Sequence, residues 1–437
     1  MAAGTGVVRE HLGVDLTPLR ASRQYRRLYV AGFITAVGSQ ATYVTIPYQL
    51  KQLTHSTLDV GALGLFELVP VIVCGLYGGV LADRMDRRRL IIVMEAALMA
   101  ATAVVLVNAM LPHPLAWVLY ADAVVAAAAS SLQRPSIEAL NQSFVTHEAQ
   151  RAASTLANIR YTTASIIGPA LGGLVAVGAG PGFVYGANLV TFALSLYWLA
   201  GLAATRVPVA PPASDRVALR AGVAFLRSRP DIVGTYVVDL LAMTLAFPVA
   251  MLPFVAARFH SSYALALLYC ALPGGALLVT LLSGGTRRVH HYGRGLVAAA
   301  VAWGLGIALF GAASSLWWVW AGLAIAGGAD ALSGIFRSTM WNESIPPDIR
   351  GRMAGMEMIS YSLGPTAGQF RAGVMAAWTS LRFSLTVGGL ACSGSVAALA
   401  AALPSLWRFD ARSDVHVAMV RALRAEDHSR EGPVDTP

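Results

Sequence analysis

The chain has 437 residues, of which 56% are hydrophobic and only 13% charged, with a mean hydropathy of +0.60 and a formal net charge of +9. A water-soluble domain of this length could not carry that composition without a large exposed apolar surface, so most of the chain must be solvated by lipid. The basic excess is spread over short links between apolar runs. It forms no stripe on a soluble face, which argues against nucleic-acid binding.

In chain order, the first 27 residues are polar and dotted with arginine. No cleavable leader is expected, because the first apolar run, from about Leu28, is long enough to remain as a span. Hydropathy and turn signals predict twelve spans, near 28–49, 59–82, 90–111, 115–134, 152–178, 182–204, 232–256, 263–284, 295–313, 316–338, 353–377 and 383–404. The fold class expected is therefore an all-α integral membrane protein. Cys74, Cys270 and Cys392 fall inside apolar runs and read as small core hydrophobes, not as a disulfide framework.

Charge sets the expected orientation. Of the 32 Lys and Arg, all but five fall in the terminal tails, the even-to-odd links and the 205–230 segment. Lys51, Arg258 and Arg382 lie in links on the other side, and Arg160 and Arg371 lie inside spans. By the positive-inside rule both termini are cytoplasmic.

The segment 205–230 separates two sets of six spans. Its Val207-Pro208-Val209-Ala210-Pro211-Pro212 run is stiff, and Arg216, Arg220 and Arg227 then share a helical stripe beside Leu219, Val223 and Leu226. That pattern suits a helix in the membrane interface, with its arginines near anionic headgroups. The divisions are thus a tail at 1–27, a six-helix bundle at 28–204, a linker at 205–230, a second bundle at 231–404 and a tail at 405–437. An internal repeat supports the two halves: Asn141-Gln142-Ser143 precedes Arg151 as Asn342-Glu343-Ser344 precedes Arg352. Gly168-Pro169 follows the first unit and Gly364-Pro365 the second, each a helix kink.

Bond-breaking chemistry finds little support. Lys51 is the only lysine and Gln52 follows it, so no Gly-rich loop ending in Lys-Ser or Lys-Thr can cradle a nucleotide phosphate. No zinc-protease, Cys-x-x-Cys or Gly-x-Ser-x-Gly pattern occurs, and no cofactor or metal is expected. The acids are spread singly: Glu67, Asp122, Asp239 and Asp330 each sit several residues inside an apolar run. An ionised side chain there costs a few kcal/mol, which demands a partner or a water-filled path. Desolvation strengthens a carboxyl group's hold on its proton, so such a group can bind and release one as access alternates. The alternative is a structural acid, neutral or hydrogen-bonded. Arg160, in span 5, suits a carboxylate or an anionic substrate, or else snorkels to the interface. Across the interface it is the expected counter-charge of Asp239, and Arg134 is expected at the gate.

The link Gly79-Val80-Leu81-Ala82-Asp83-Arg84-Met85-Asp86-Arg87-Arg88-Arg89 resembles the signature loop between spans 2 and 3 of the major facilitator superfamily. One residue departs from it: Asp86 stands where the family usually has Gly. The resemblance implies two pseudo-symmetric six-helix bundles, with Gly79, Asp83, Arg84, Arg87 and Arg88 as a gating motif. Asp83 is placed to accept hydrogen bonds at the N-terminus of span 11 and latch the cytoplasmic side, the alternative being a motif that only sets topology. Gly168-Pro169-Ala170-Leu171-Gly172-Gly173 resembles the span-5 motif of the antiporter branch, which exports substrates against inward proton flow. Val37-Gly38-Ser39-Gln40, Pro47-Tyr48-Gln49-Leu50 with Leu53-Thr54-His55-Ser56, the Gly78-to-Asp83 loop, Val238-Asp239-Leu240-Leu241-Ala242-Met243 and Leu268-Tyr269-Cys270-Ala271-Leu272-Pro273-Gly274-Gly275 look like the bacterial siderophore (enterobactin) exporters, over most of residues 15 to 405. The expected function is a proton-coupled antiporter of the bacterial inner membrane, a monomer expelling a bulky amphipathic small molecule such as a siderophore. A macrolide-type drug efflux pump is the alternative, ahead of a membrane enzyme or a non-transporting receptor or scaffold.

Overall fold

The computed structural model describes residues 15–203, 225–282, 289–345 and 350–410, with 412, 414, 416–420 and 422; side chains at 76, 79, 80, 82–84, 147 and 350–360 are outside the described set. After a short helix at Thr17–Ala21, the membrane helices are α1 (Arg23–Thr54), α2 (Thr57–Arg84), α3 (Arg87–Met110), α4 (Ala116–Ser143), α5 (Gln150–Gly178) and α6 (Pro181–Ala200). The second set is α7 (Pro230–Ala246), α8 (Ala264–Leu282), α9 (Tyr292–Ala312), α10 (Leu316–Ser344), α11 (Arg350–Trp378) and α12 (Leu381–Ala402).

Ten helical segments among the described residues are long and apolar enough to cross a membrane. The remaining two, α1 and α11, have the length, at 32 and 29 residues, but carry more polar side chains. The reason is their position: Thr35, Ser39 and Gln40 of α1 and Gln369 of α11 face an internal cavity. The outer faces are apolar where lipid would lie. Trp117, Trp317 and Trp378, at helix ends, are 64%, 67% and 82% exposed, as an interfacial aromatic belt requires.

Local sequence explains the tight connections. His55 takes the left-handed conformation (φ 54°) and its N–H closes α1 onto the Lys51 carbonyl, while Ser56 accepts from Asp59 N at 3.2 Å to start α2. Asp86 accepts from Arg89 N at 2.9 Å, so the acid that departs from the usual Gly is the N-cap of α3. The seventh span, expected unbroken over 232–256, is interrupted. Pro248 offers no N–H and holds Phe247 extended, after which a 3-10 turn at Val249–Met251 leads into a short helix at Leu252–Ala257.

Packing reveals the symmetry. In the first half α1 packs on α5 and α6, α2 on α4, and α3 on α4 and α6; the same five pairings recur in the second half with every number raised by six. Between the halves α2 packs on α11 and α5 on α8, two contacts that interchange under the same operation. The kinks match as well. A Cβ on Gly168 of α5 would come within 2.5 Å of Gln40 Cβ on α1, and one on Gly364 of α11 within 2.7 Å of Met243 Cβ on α7. Both helices need a residue without a side chain to approach so closely.

Among the described residues, close contacts join the two halves toward the end remote from the chain termini. A Cβ on Gly61 of α2 would stand 2.7 Å from Gly373 Cα of α11, and Thr57 Oγ1 donates to the Gly373 carbonyl at 3.3 Å. Lys51 sits over the Phe254 ring, 5.7 Å from its centroid, and Cys270 Sγ contacts the Ile166 carbonyl at 3.4 Å.

Candidate functional site

Among the described residues, ionisable side chains gather inside the apolar body in two places. The first is a cavity of about 490 Å³ enclosed by α1 to α6, with Gln369 of α11 reaching in from the other half. Its wall is mainly apolar and aromatic, from Leu63, Leu98, Tyr43 and Phe192 among others. Into it come Glu67 of α2, Glu95 of α3, Asp122 of α4 and Arg160 of α5.

These four are graded along the membrane. At 1.5 Å per residue, Asp122 lies about 9 Å and Glu67 about 15 Å from the helix ends remote from the termini. Glu95 lies about 12 Å and Arg160 about 15 Å from the opposite ends. Asp122 and Glu67 thus lie toward the closed end, and Glu95 and Arg160 toward the terminal side.

Partners differ just as clearly. Glu95, 4% exposed, accepts from Ser195 Oγ at 2.6 Å and from Thr35 Oγ1, so one carboxyl oxygen joins α1, α3 and α6. Asp122 is 6% exposed and has no hydrogen bond to any described residue. Arg160 packs over the Tyr29 ring, 5.7 Å from its centroid, and against Gly32, without an ion pair among the described residues. Gln133 Oε1, from α4, is a buried acceptor with no donor.

The second place is in the other half. Arg337 of α10 donates through Nη1 to Asp239 Oδ1 of α7, and the two side chains are 3% and 4% exposed. Its Nη2 donates to the Tyr361 hydroxyl of α11 at 2.9 Å, and the guanidinium lies 4.8 Å from the Tyr361 ring centroid and 5.7 Å from that of Trp341. Asp330, seven residues before Arg337 on the same helix, lies within electrostatic reach of both Arg337 and Asp239.

The structure thus brings Glu67 and Asp122 into one cavity with Arg160, and Asp239 and Asp330 into a separate cluster. The expected pairing of Asp239 with Arg160 is not found. Arg337 takes that place, because α10 runs to Ser344 instead of ending near 338, so an arginine grouped with the cytoplasmic link stands inside the bundle. Glu95 was also missed. Its signal was present in an acid inside Ile91-Ile92-Val93-Met94-Glu95-Ala96-Ala97-Leu98, close enough to Arg89 to pass for part of the charged link. Arg134, expected at the gate, pairs with Glu138 on its own exposed helix face at 3.2 Å. In the gating motif, Arg88 Nη2 donates to the Ala200 carbonyl of α6 at 2.7 Å, within its own half. The Gly79, Asp83 and Arg84 side chains, their expected partners at 350–360, and the Arg216–Arg220 stripe lie outside the described residues.

Residues 14–435 match the family model described as transmembrane secretion effector. The chain is 28% identical over 382 residues to the enterobactin exporter of Salmonella typhimurium, covering 86% of this chain and 91% of that protein. It is likewise 28% identical over 348 residues to the enterobactin exporter of Escherichia coli O1:K1, covering 78% and 83%. Among solved structures, a peptide transporter superposes with a TM-score of 0.72 at 13% identity, over 89% of this chain and 95% of that one. A D-xylose–proton symporter gives 0.70 at 12%, over 88% and 97%.

Proposed function

Since the chain belongs to the transmembrane secretion effector family of the major facilitator superfamily, and is accordingly a multi-pass membrane transporter and not an enzyme, we propose that it exports a bulky amphipathic small molecule in exchange for protons. The site is the bacterial inner membrane, and both termini are cytoplasmic. The observation that carries this reading is the cavity within α1 to α6. It has an apolar wall, four ionisable groups, and close helix contacts at the end remote from the termini. With the termini cytoplasmic, that is a carrier facing inward, able to load substrate from the cell.

The two bundles, 28–204 and 231–404, would move against each other about the α2–α11 and α5–α8 contacts, with the Gly79–Arg88 motif as a latch on the cytoplasmic side. The Asp239–Arg337–Tyr361 cluster, with Asp330 beside it, is the proposed place of proton coupling. Protonating Asp239 would remove the charge that holds Arg337 and loosen the tie between α7, α10 and α11. The protein works as a monomer in contact with lipid, and needs no cofactor.

The curated relatives are named as exporters of enterobactin, which favours a siderophore as substrate. A second reading, a macrolide-type drug efflux pump, is favoured by the three carboxyl groups against one arginine in the cavity. Everted vesicles containing the protein test both. Accumulation of a catecholate siderophore or of an amine-bearing macrolide is expected when the lumen is acidified, and it should collapse when a protonophore is added. If neither accumulates above empty vesicles, the export reading is wrong.

A further inference from the structure

Toward the closed end of the cavity two acids line the same space, and one of them has no hydrogen-bond donor among the described residues. Asp122 is more than nine-tenths buried and lacks a hydrogen bond to any described residue, yet it lines the space. Glu67 lines the same space from α2, about one turn further from the helix end.

Among the described residues no cationic side chain is paired with either acid. Arg160 lies toward the opposite end, engaged with the face of Tyr29, and makes no ion pair among the described residues. Lys51, the chain's only lysine, lies over Phe254 in a contact between the halves. An uncompensated carboxylate in an apolar body is costly, and a bound cation removes that cost. The surrounding wall of Tyr43, Leu63 and Phe192 offers apolar and aromatic surface, which attracts organic cations through the ring faces as well as through dispersion. At about 490 Å³ the space is of small-molecule size.

We propose that Asp122 and Glu67 form the cation-binding end of the cavity, and that the transported molecule is an amphipathic organic cation whose charged nitrogen seats between them. This assignment rests on the reading of the cavity as the transport site, and it decides between that reading's two substrate classes. Arg160 then faces the tail of the molecule near the entrance, where it rejects a second positive charge.

The test is equilibrium binding to the purified full-length protein in detergent, using tetraphenylphosphonium and tetraphenylborate, which have nearly the same shape and opposite charge. The phosphonium is expected to bind at least tenfold more tightly than the borate. Asp122→Asn and Glu67→Gln should each weaken the phosphonium at least tenfold without weakening the borate. Glu67 is only half-buried, so its variant keeps the test open even if Asp122→Asn fails to fold. Equal binding of the two probes, tighter binding of the borate, or a change below threefold in the folded variants overturns the assignment. Because binding is read without transport, that failure is distinct from the failure of export, which the vesicle measurement reports separately.

Discussion

One guanidinium joins three helices: Arg337 donates to Asp239 on α7 and, at 2.9 Å, to the Tyr361 hydroxyl on α11, while its own backbone belongs to α10. Both charges are almost fully buried. Removing one partner of such a pair strands the other in the apolar interior, which costs about 3–5 kcal/mol. Arg337→Met should therefore lower the thermal unfolding midpoint of the detergent-solubilised protein sharply. The double variant Asp239→Asn with Arg337→Met, which strands neither member of the pair, should recover most of that loss. If the double variant is as unstable as the single, the pair is not what holds the three helices.

Coupling is read separately from stability. Asp239→Asn removes the proposed proton-binding group but also strands Arg337, so it is assayed in the folded fraction, where substrate binding should persist and the dependence of export on the pH gradient should disappear. Transport is measured in everted vesicles across a series of imposed gradients. An Asn variant with wild-type rate and wild-type pH dependence would make Asp239 a structural acid and turn attention to Asp122, Glu67 or Glu95.

The proposed orientation rests on the side on which the arginines lie. A cysteine replacing the exposed His113, in the link between α3 and α4, should react with a membrane-impermeant maleimide in intact cells. One replacing the exposed Glu148, between α4 and α5, should react only after permeabilisation. The reverse pattern contradicts cytoplasmic termini.

Closure of the remote end depends on Gly61 lying against Gly373, where an added Cβ would stand 2.7 Å from the facing Cα. Gly61→Val cannot be seated there without parting α2 from α11. The expected outcome is a shift toward opening on that side, seen as faster labelling of a cysteine at the cavity residue Ser39 by an impermeant reagent added outside intact cells. Unchanged labelling would show that this contact does not govern access.

The cap of α3 gives a smaller effect. Asp86→Ala removes the acceptor for Arg89 N and should lower stability by about 0.5–2 kcal/mol. Asp86→Gly, the residue usual in the superfamily, should cost only a few tenths. Thermal unfolding of the two variants side by side measures the difference, and equal losses would assign no capping role to the carboxylate.

The membrane class, the helix periodicity and the two-half repeat follow from the sequence alone, because lipid forces every backbone donor and acceptor into helices and leaves apolar length as the dominant signal. The kinks at Gly168-Pro169 and Gly364-Pro365 are legible for a related reason: proline and glycine change the backbone locally, whatever surrounds them. The break at Pro248 obeys the same rule but was read through, since apolar residues continue on both sides of it.

Tertiary structure alone decided which charges meet. Asp239 and Arg337 are 98 residues apart in the chain, and Glu95 and Ser195 are 100 apart, so no local pattern links either pair. Hydropathy also averages over a helix and does not say which face a residue occupies. It left Arg337 among the cytoplasmic basics and could not place Arg160 over Tyr29 instead of beside Asp239. Only the packing of α7 against α11, and of α10 into the same bundle, set those directions. The ionic chemistry of the protein is a property of that packing, because in an apolar interior a charge is stabilised by the one partner the fold delivers to it.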